Sequence, residues 1–192
     1  MNLLVLGPQG AGKGTQAARI SAEYGIPHIA TGDMFRALDT TTELGRKVKA
    51  IMDAGTLVPD KITVAMIKDR LAEPDAESGF ALDGFPRNLA QAEALDEMLG
   101  GIGRGLDAIL FFDVPDDVGM ERALKRAELE GRSDDTPEVI ATRLAVYHEQ
   151  TEPIVEHYRA TGKLVPLHAE RSVEEVWEEI RSAIDLLDED AA

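Results

Sequence analysis

A parallel α/β fold, with a five-stranded sheet and helices on both faces, is predicted by three observations. Short continuous apolar runs alternate with helical patterns along the chain. The first run ends in a glycine-rich loop that opens a helix. Polar residues able to do chemistry cluster just after the apolar runs, where open parallel sheets hold their ligands.

The strands are read in order. Leu3–Leu6 is a buried-strand pattern ending at Gly7, and Ile26–Ala30 is a brief second strand. Phe80–Leu82 is the third and Ala108–Val114 the clearest, with Leu164–Leu167 the fifth. Helical periodicity covers Lys13–Tyr24, Asn88–Leu99, Asp116–Glu130, Pro137–Arg159 and Val173–Leu187. Two helix starts carry their own signals. Thr136 before Pro137 puts proline at a first helical position, and Ser172 with Glu175 is a capping box. Thr31–Pro59, mostly helical, and the polar stretch Glu128–Thr136 look inserted between core elements. Gly100–Gly105 reads as a turn leading into the Ala108 strand.

The composition narrows the function. A chain of 192 residues with 44% apolar and 29% charged residues is an ordinary single globular domain. Its charge is unusual: 20 Lys and Arg against 36 Asp and Glu give −16. Such a chain is a poor binder of nucleic acid or anionic membrane, and an anionic ligand needs a local cluster of cations. There is no cysteine, which removes thiolate chemistry and Cys-ligated zinc. The four histidines have no zincin spacing. No apolar stretch is long enough to span a bilayer, and Met1–Leu6 lacks a basic start, so the expected location is the cytoplasm.

The strongest motif is Gly7-Pro8-Gln9-Gly10-Ala11-Gly12-Lys13-Gly14-Thr15. Glycines let backbone amides turn inward toward a phosphate at a helix start, and Lys13 adds a point charge. Its context, after a strand and before a helix, is the one the motif requires, so the α/β fold is read as the P-loop NTPase type. Gly14 stands where a metal-binding hydroxyl usually follows the lysine, so a direct bond from that position to Mg²⁺ is not expected. Asp83 ends an apolar run and could hold Mg²⁺ through water, or cap the turn that follows.

Six arginines fall where they could flank that loop: Arg36, Arg87, Arg122, Arg126, Arg132 and Arg143. Arg122 and Arg126 share a helix face, and Arg87 closes Asp83-Gly84-Phe85-Pro86-Arg87 after the third strand. The guanidinium fork suits phosphate and keeps its charge when dried. Arg19, Arg46, Arg70, Arg104, Arg159 and Arg181 read as solvated charges.

Together these residues resemble the adenylate kinases over nearly the whole chain. The matching segments are GPQGAGKGTQA, ATGDMFR, GTLVPD, GFALDGFPR with Gln91, LKRAELEGRSDDT and RLAVYHEQTEPI. The resemblance implies reversible transfer of a phosphoryl group from MgATP to AMP, giving two ADP. It implies that Gly10, Ala11, Gly12, Lys13, Gly14 and Thr15 hold ATP phosphates, with Arg122, Arg126 and Arg171 also on the ATP side. It assigns Thr31, Arg36, Leu57, Val58, Pro59, Gly84, Phe85, Pro86, Arg87 and Gln91 to AMP. Arg132 and Arg143 would clamp phosphates of both nucleotides, and Lys13, Arg87, Arg126, Arg132 and Arg143 would stabilise the transferring group. Thr31 and Gln91 match adenine-reading positions; a UMP/CMP kinase is the alternative enzyme, and an ATP-gated binding module without turnover is the other class.

The implied organisation is a core of residues 1–30, 60–126 and 136–192, an AMP-side insert at 31–59 and a short lid at 127–135, acting as a monomer. Two departures stand out. Gln9 replaces the proline that many relatives carry, and the lid is too short, and without cysteines, to bind zinc.

Overall fold

The computed structural model describes residues 1–130 and 135–190, the side chains as far as 187. Its centre is one parallel sheet in the order β2-β3-β1-β4-β5: β1 (Asn2–Leu6), β2 (His28–Ala30), β3 (Phe80–Asp83), β4 (Ala108–Asp113) and β5 (Leu164–His168). In register, Val5 lies between Asp83 of β3 and Leu110 of β4. The order reverses at β1, so the loop leaving β1 faces the crevice that such sheets use for ligands.

Alternation of side chains across the sheet gives two cores. Leu3, Val5, Ala81, Leu110 and Phe112 pack on one face against α1 (Lys13–Tyr24) and α9 (Val173–Asp190). Leu4, Leu6, Leu82 and Ile109 face the other way. There they meet α4 (Asp60–Leu71), α5 (Leu89–Gly101) and α8 (Pro153–Arg159). Burial on both faces is why the strands read as continuous apolar runs rather than alternating ones.

The remaining helices are α2 (Thr31–Arg36), α3 (Glu43–Asp53), α6 (Asp116–Glu130) and α7 (Pro137–Val146). The five strands and the expected caps are present. Thr42, Asn88 and Thr136 accept from backbone amides at the starts of α3, α5 and α7. The Ser172–Glu175 box closes in both directions.

Three expectations need correction. The second strand starts at His28 rather than Ile26, because Pro27 has no amide to donate. The helix expected over Pro137–Arg159 is interrupted by a π turn at Tyr147–Thr151. Pro153, which opens α8, cannot donate back to the preceding turn, and the wider turn absorbs the mismatch. Arg104 is not a solvated charge: it donates to Asn2 and its guanidinium lies 5.2 Å from the Phe80 ring centroid. Arg19 departs from that reading too: it pairs with Glu174 and its guanidinium lies 4.7 Å from the Trp177 ring centroid. Arg70 is half-buried and pairs with Asp75, while Arg46, Arg159 and Arg181 are exposed.

No described helix is long and apolar enough to cross a membrane.

Candidate active site

The carboxyl ends of β1 and β3 open into a cleft of about 860 Å³, walled by the glycine loop, α2, the Met52–Val58 segment and α7. Its floor is the loop itself. Gly12 has φ +88° and precedes α1, whose N-terminus carries no side-chain cap. Those first-turn amides are therefore available to an anion. Gly10 has φ +80°, and a Cβ there would lie 1.9 Å from the carbonyl oxygen of Gly119 on α6. The loop is thus pressed against a second helix, and Gly119 is the glycine that permits it. No motif marks Gly119 in the sequence.

Lys13 lies half-buried in the cleft, its Nζ 2.6 Å from the Pro8 carbonyl oxygen. Burial pulls its pKa down from 10.5 to about 8; Asp83 opposes the fall, and Arg87 and Arg126 add to it. Burial likewise works against the charge of Asp83, yet His28, Lys13 and Arg87 outweigh it and hold the carboxyl below its usual range. His28 Nε2 is 3.4 Å from Asp83 Oδ2 but out of line for a hydrogen bond, and that ring nitrogen is buried without a partner. Arg87 is pressed down by burial in the cleft wall, with Asp83 pushing it up and Arg143 and Arg36 pushing it further down. Its side chain still meets water at the cleft surface, so solvent screens these effects and the guanidinium stays charged.

The arginines converge through carboxylates and carbonyls. Asp135, with a side chain 0% exposed, accepts from Arg126 Nη2 at 2.7 Å and from Arg143 Nη1. It also accepts from Gln9 Nε2 at 3.0 Å. Arg143 reaches across to the Met52 carbonyl at 3.1 Å, joining α7 to the C-terminal end of α3. Arg36 bonds Asp33 at 2.6 Å. Arg87 Nε donates to the Gly84 carbonyl, while Thr151 of the π turn donates to the Arg87 carbonyl at 2.8 Å. Arg122 faces the cleft but spends its donors on the carbonyls of Ala169 and Glu170. Arg171 extends to Glu179, leaving its backbone nearer the cleft.

Most residues expected at the site line this one cleft: Gly10 to Thr15, Arg36, Leu57, Val58, Asp83, Gly84, Pro86, Arg87, Gln91, Arg122, Arg126, Arg143 and Arg171. Three do not. Thr31 is 1% exposed and donates to the Asp83 carbonyl, tying the start of α2 to the turn after β3. Phe85 is in the core, and Pro59 stands as the residue before α4. Arg132, with residues 131–134 of the short lid, lies outside the described residues. Gln9, Asp60, Asn88, Gly119 and Asp135 were not singled out as site residues. Gln9 left a signal as a departure from a motif, and Asp60 and Asp135 stand inside the segments GTLVPD and LKRAELEGRSDDT without a role of their own.

Asp83 stands beside the phosphate loop: its Oδ2 is 3.8 Å from where a Cβ on Gly14 would be. A single buried, ionised carboxylate there fits a magnesium ion held chiefly by nucleotide oxygens and water. Among the described residues no group of three or more His, Asp or Glu is placed to hold a metal by itself.

Similarity to known proteins agrees with this geometry. The family model described as "Adenylate kinase" matches residues 5–163. The adenylate kinase of Thermobifida fusca is 50% identical over 185 residues, covering 96% of this chain and 98% of that protein. That of Streptomyces avermitilis is 47% identical over 213 residues, covering 96% and 97%. That of Archaeoglobus fulgidus is 43% identical over 213 residues, covering 96% and 98%. With the family model covering most of the chain and these relatives 43–50% identical along nearly all of it, the chain belongs to the adenylate kinase family.

Proposed function

We propose that the protein catalyses MgATP + AMP = 2 ADP, by direct in-line transfer within this cleft. The observation that carries the reading is the convergence of Lys13, Arg87, Arg126 and Arg143 around the glycine loop in a chain of net charge −16. So acidic a protein concentrates cations only where it must hold a strongly anionic ligand.

In the reaction an oxygen of the AMP phosphate attacks the γ-phosphorus of ATP. The bond from γ-phosphorus to the bridging oxygen breaks, and the departing ADP keeps that electron pair. No side chain has to become covalently attached. The protein's work is alignment and charge neutralisation. The loop amides and Lys13 would hold the donor phosphates, and Arg36 and Arg87 the acceptor phosphate. Arg126 and Arg143, with Arg132, would face the charge that spreads over the transferring group. Magnesium, entering with ATP near Asp83, would supply further neutralisation of the phosphate oxygens.

Water is the rival acceptor, so the cleft must shut before transfer. We propose that residues 31–59 cover AMP and residues 127–135 cover ATP. The bond from Arg143 to the Met52 carbonyl and the approach of Gly55 to Val139 support an insert that rests against α7. Gln91, 2% exposed, would present its amide to the acceptor base. The large exposed apolar side chains are spread over several elements, among them Leu44, Ile102 and Leu129, and support a chain that acts as a monomer.

The test is diphosphate formation from MgATP with AMP, CMP, UMP or GMP. Rapid ADP formation with AMP alone is the expected result. A preference for CMP or UMP would make the protein a pyrimidine nucleotide kinase. ATP binding without turnover on any acceptor would leave a binding module.

A further inference from the structure

The Gln91 amide is held at both ends. Its Oε1 accepts from the backbone N–H of Arg87 at 2.8 Å, and its Nε2 donates to Asp60 Oδ1 at 2.7 Å. Asp60 is the first residue of α4, and the same oxygen also accepts from Asn88 Nδ2 at 2.9 Å. Asn88 in turn accepts from the Gln91 backbone amide at 2.9 Å. These bonds form a closed ring joining α4, the turn after β3 and the start of α5.

The ring has a direction. An ionised carboxylate can only accept and a backbone N–H can only donate, so the two contacts independently demand the same orientation of the Gln91 amide. A reversed amide would set oxygen against carboxylate and N–H against N–H, with almost no solvent to relieve either. After the two bonds, the amide keeps one N–H and one oxygen lone pair. Adenine offers an amino donor at N6 beside an acceptor at N1, which matches that pair. Hypoxanthine and guanine offer an acceptor at O6 beside a donor at N1, the reverse pattern. A free glutamine amide could turn over and serve either.

We propose that Asp60 is a specificity-determining positioning residue: by fixing the orientation of the Gln91 amide, it makes the acceptor site reject 6-oxopurine monophosphates. This rests on the reading that Gln91 faces the acceptor base. A site built for a given hydrogen-bond pattern discriminates strongly because the wrong base leaves buried groups unpaired.

The test compares AMP with IMP as acceptor, by kcat/KM at fixed MgATP, in the wild type and in Asp60→Ala, Asp60→Asn, Gln91→Leu and Asn88→Ala. Asp60→Ala removes the acceptor that opposes a reversed Gln91 amide. It should lower the AMP:IMP ratio by at least about tenfold, mainly through a gain with IMP, with KM for ATP unchanged. Asp60→Asn can keep its oxygen toward both Gln91 and Asn88, so it should retain most of the wild-type ratio. Gln91→Leu should lose most AMP activity and bring the ratio near one. Asn88→Ala removes the α5 cap but keeps the Asp60–Gln91 bond, so it should lower the melting temperature without moving the ratio. If Gln91→Leu leaves the ratio unchanged, the Gln91 reading itself fails. If Gln91→Leu collapses the ratio but Asp60→Ala does not move it, the Asp60 proposal alone is overturned. Equal losses with AMP and IMP in Asp60→Ala would also overturn it, by showing a purely structural role. Should Asp60→Ala not fold, Asp60→Leu is read in the same assay against the same criteria.

Discussion

Gln9 Nε2 lies 3.0 Å from Asp135 Oδ1, so the phosphate loop and the segment following α6 are joined by one hydrogen bond to a fully buried carboxylate. Arg126 and Arg143 share that carboxylate. Asp135 therefore sets the spacing of two guanidinium groups that would otherwise repel each other. Asp135→Asn should cost about 1–3 kcal/mol of stability, toward the lower side of the range for broken buried pairs because both arginines retain some access to water. It should also lower kcat more than tenfold, as a shift of about 1 Å at a transfer site is enough for such a loss. Steady-state kinetics with thermal melts checks both. An unchanged kcat would show that the two arginines hold their places without Asp135.

Lys13→Met should separate activity from stability. The ammonium is half-buried beside two guanidinium groups and makes one hydrogen bond, to the Pro8 carbonyl. Methionine is similar in length and pays no charge-burial penalty. Turnover should fall by about a hundredfold or more, the scale seen when one donor to a developing charge is removed. The melting temperature should hold or rise. A variant that melts much earlier would assign Lys13 a structural role.

The depressed pKa of Lys13 has a sign that can be tested. Between pH 8 and 10.5 the unfolded chain keeps a proton on this lysine that the folded chain has lost. From this group alone, stability of the free protein rises with pH through that window. Nucleotide phosphates favour the charged form, so ATP binding above pH 8 should take up a proton and weaken as pH rises. Calorimetry in buffers of different ionisation enthalpy measures the uptake. The Lys13→Met variant should show no such uptake from this position.

Gly10→Ala should be among the most damaging single-methyl additions to the chain. The new Cβ would stand 1.9 Å from the Gly119 carbonyl oxygen at a residue with φ +80°. Backbone, not a side-chain tip, is what it meets, so the loop or α6 must move. A loss of about 2–4 kcal/mol is expected from strain and overpacking together. Gly119→Ala should be milder, its Cβ lying 3.0 Å from the Gln9 carbonyl oxygen. Equal melting temperatures for the two variants would contradict this contact geometry.

The contiguous part of the site was the legible part. Gly7–Thr15 carries its whole logic in nine neighbouring residues, and the strand and helix around it supply the context. Asp135 could not be read the same way. Its partners Gln9, Arg126 and Arg143 lie 126, 9 and 8 residues away in sequence. An aspartate in a polar stretch looks like any solvated charge until the chain has folded. Asp60 was hidden for a related reason, since a residue that acts by orienting another has no motif of its own. Thr31 shows the opposite difficulty. Its position matches a base-reading residue, yet in the fold its hydroxyl is turned to the Asp83 carbonyl. The broken α7–α8 helix could have been anticipated from Pro153, because periodicity continues through a π turn while the hydrogen-bond ladder does not.

Arg143 stands on α7, grips the Asp135 carboxylate that Arg126 shares, and bonds the main-chain carbonyl of Met52. If ATP and AMP occupy the cleft as proposed, their sites would not be independent receptors that happen to adjoin. They would share a free energy of coupling, and linkage makes it reciprocal. Whatever factor ATP added to the affinity for AMP, AMP would return to ATP.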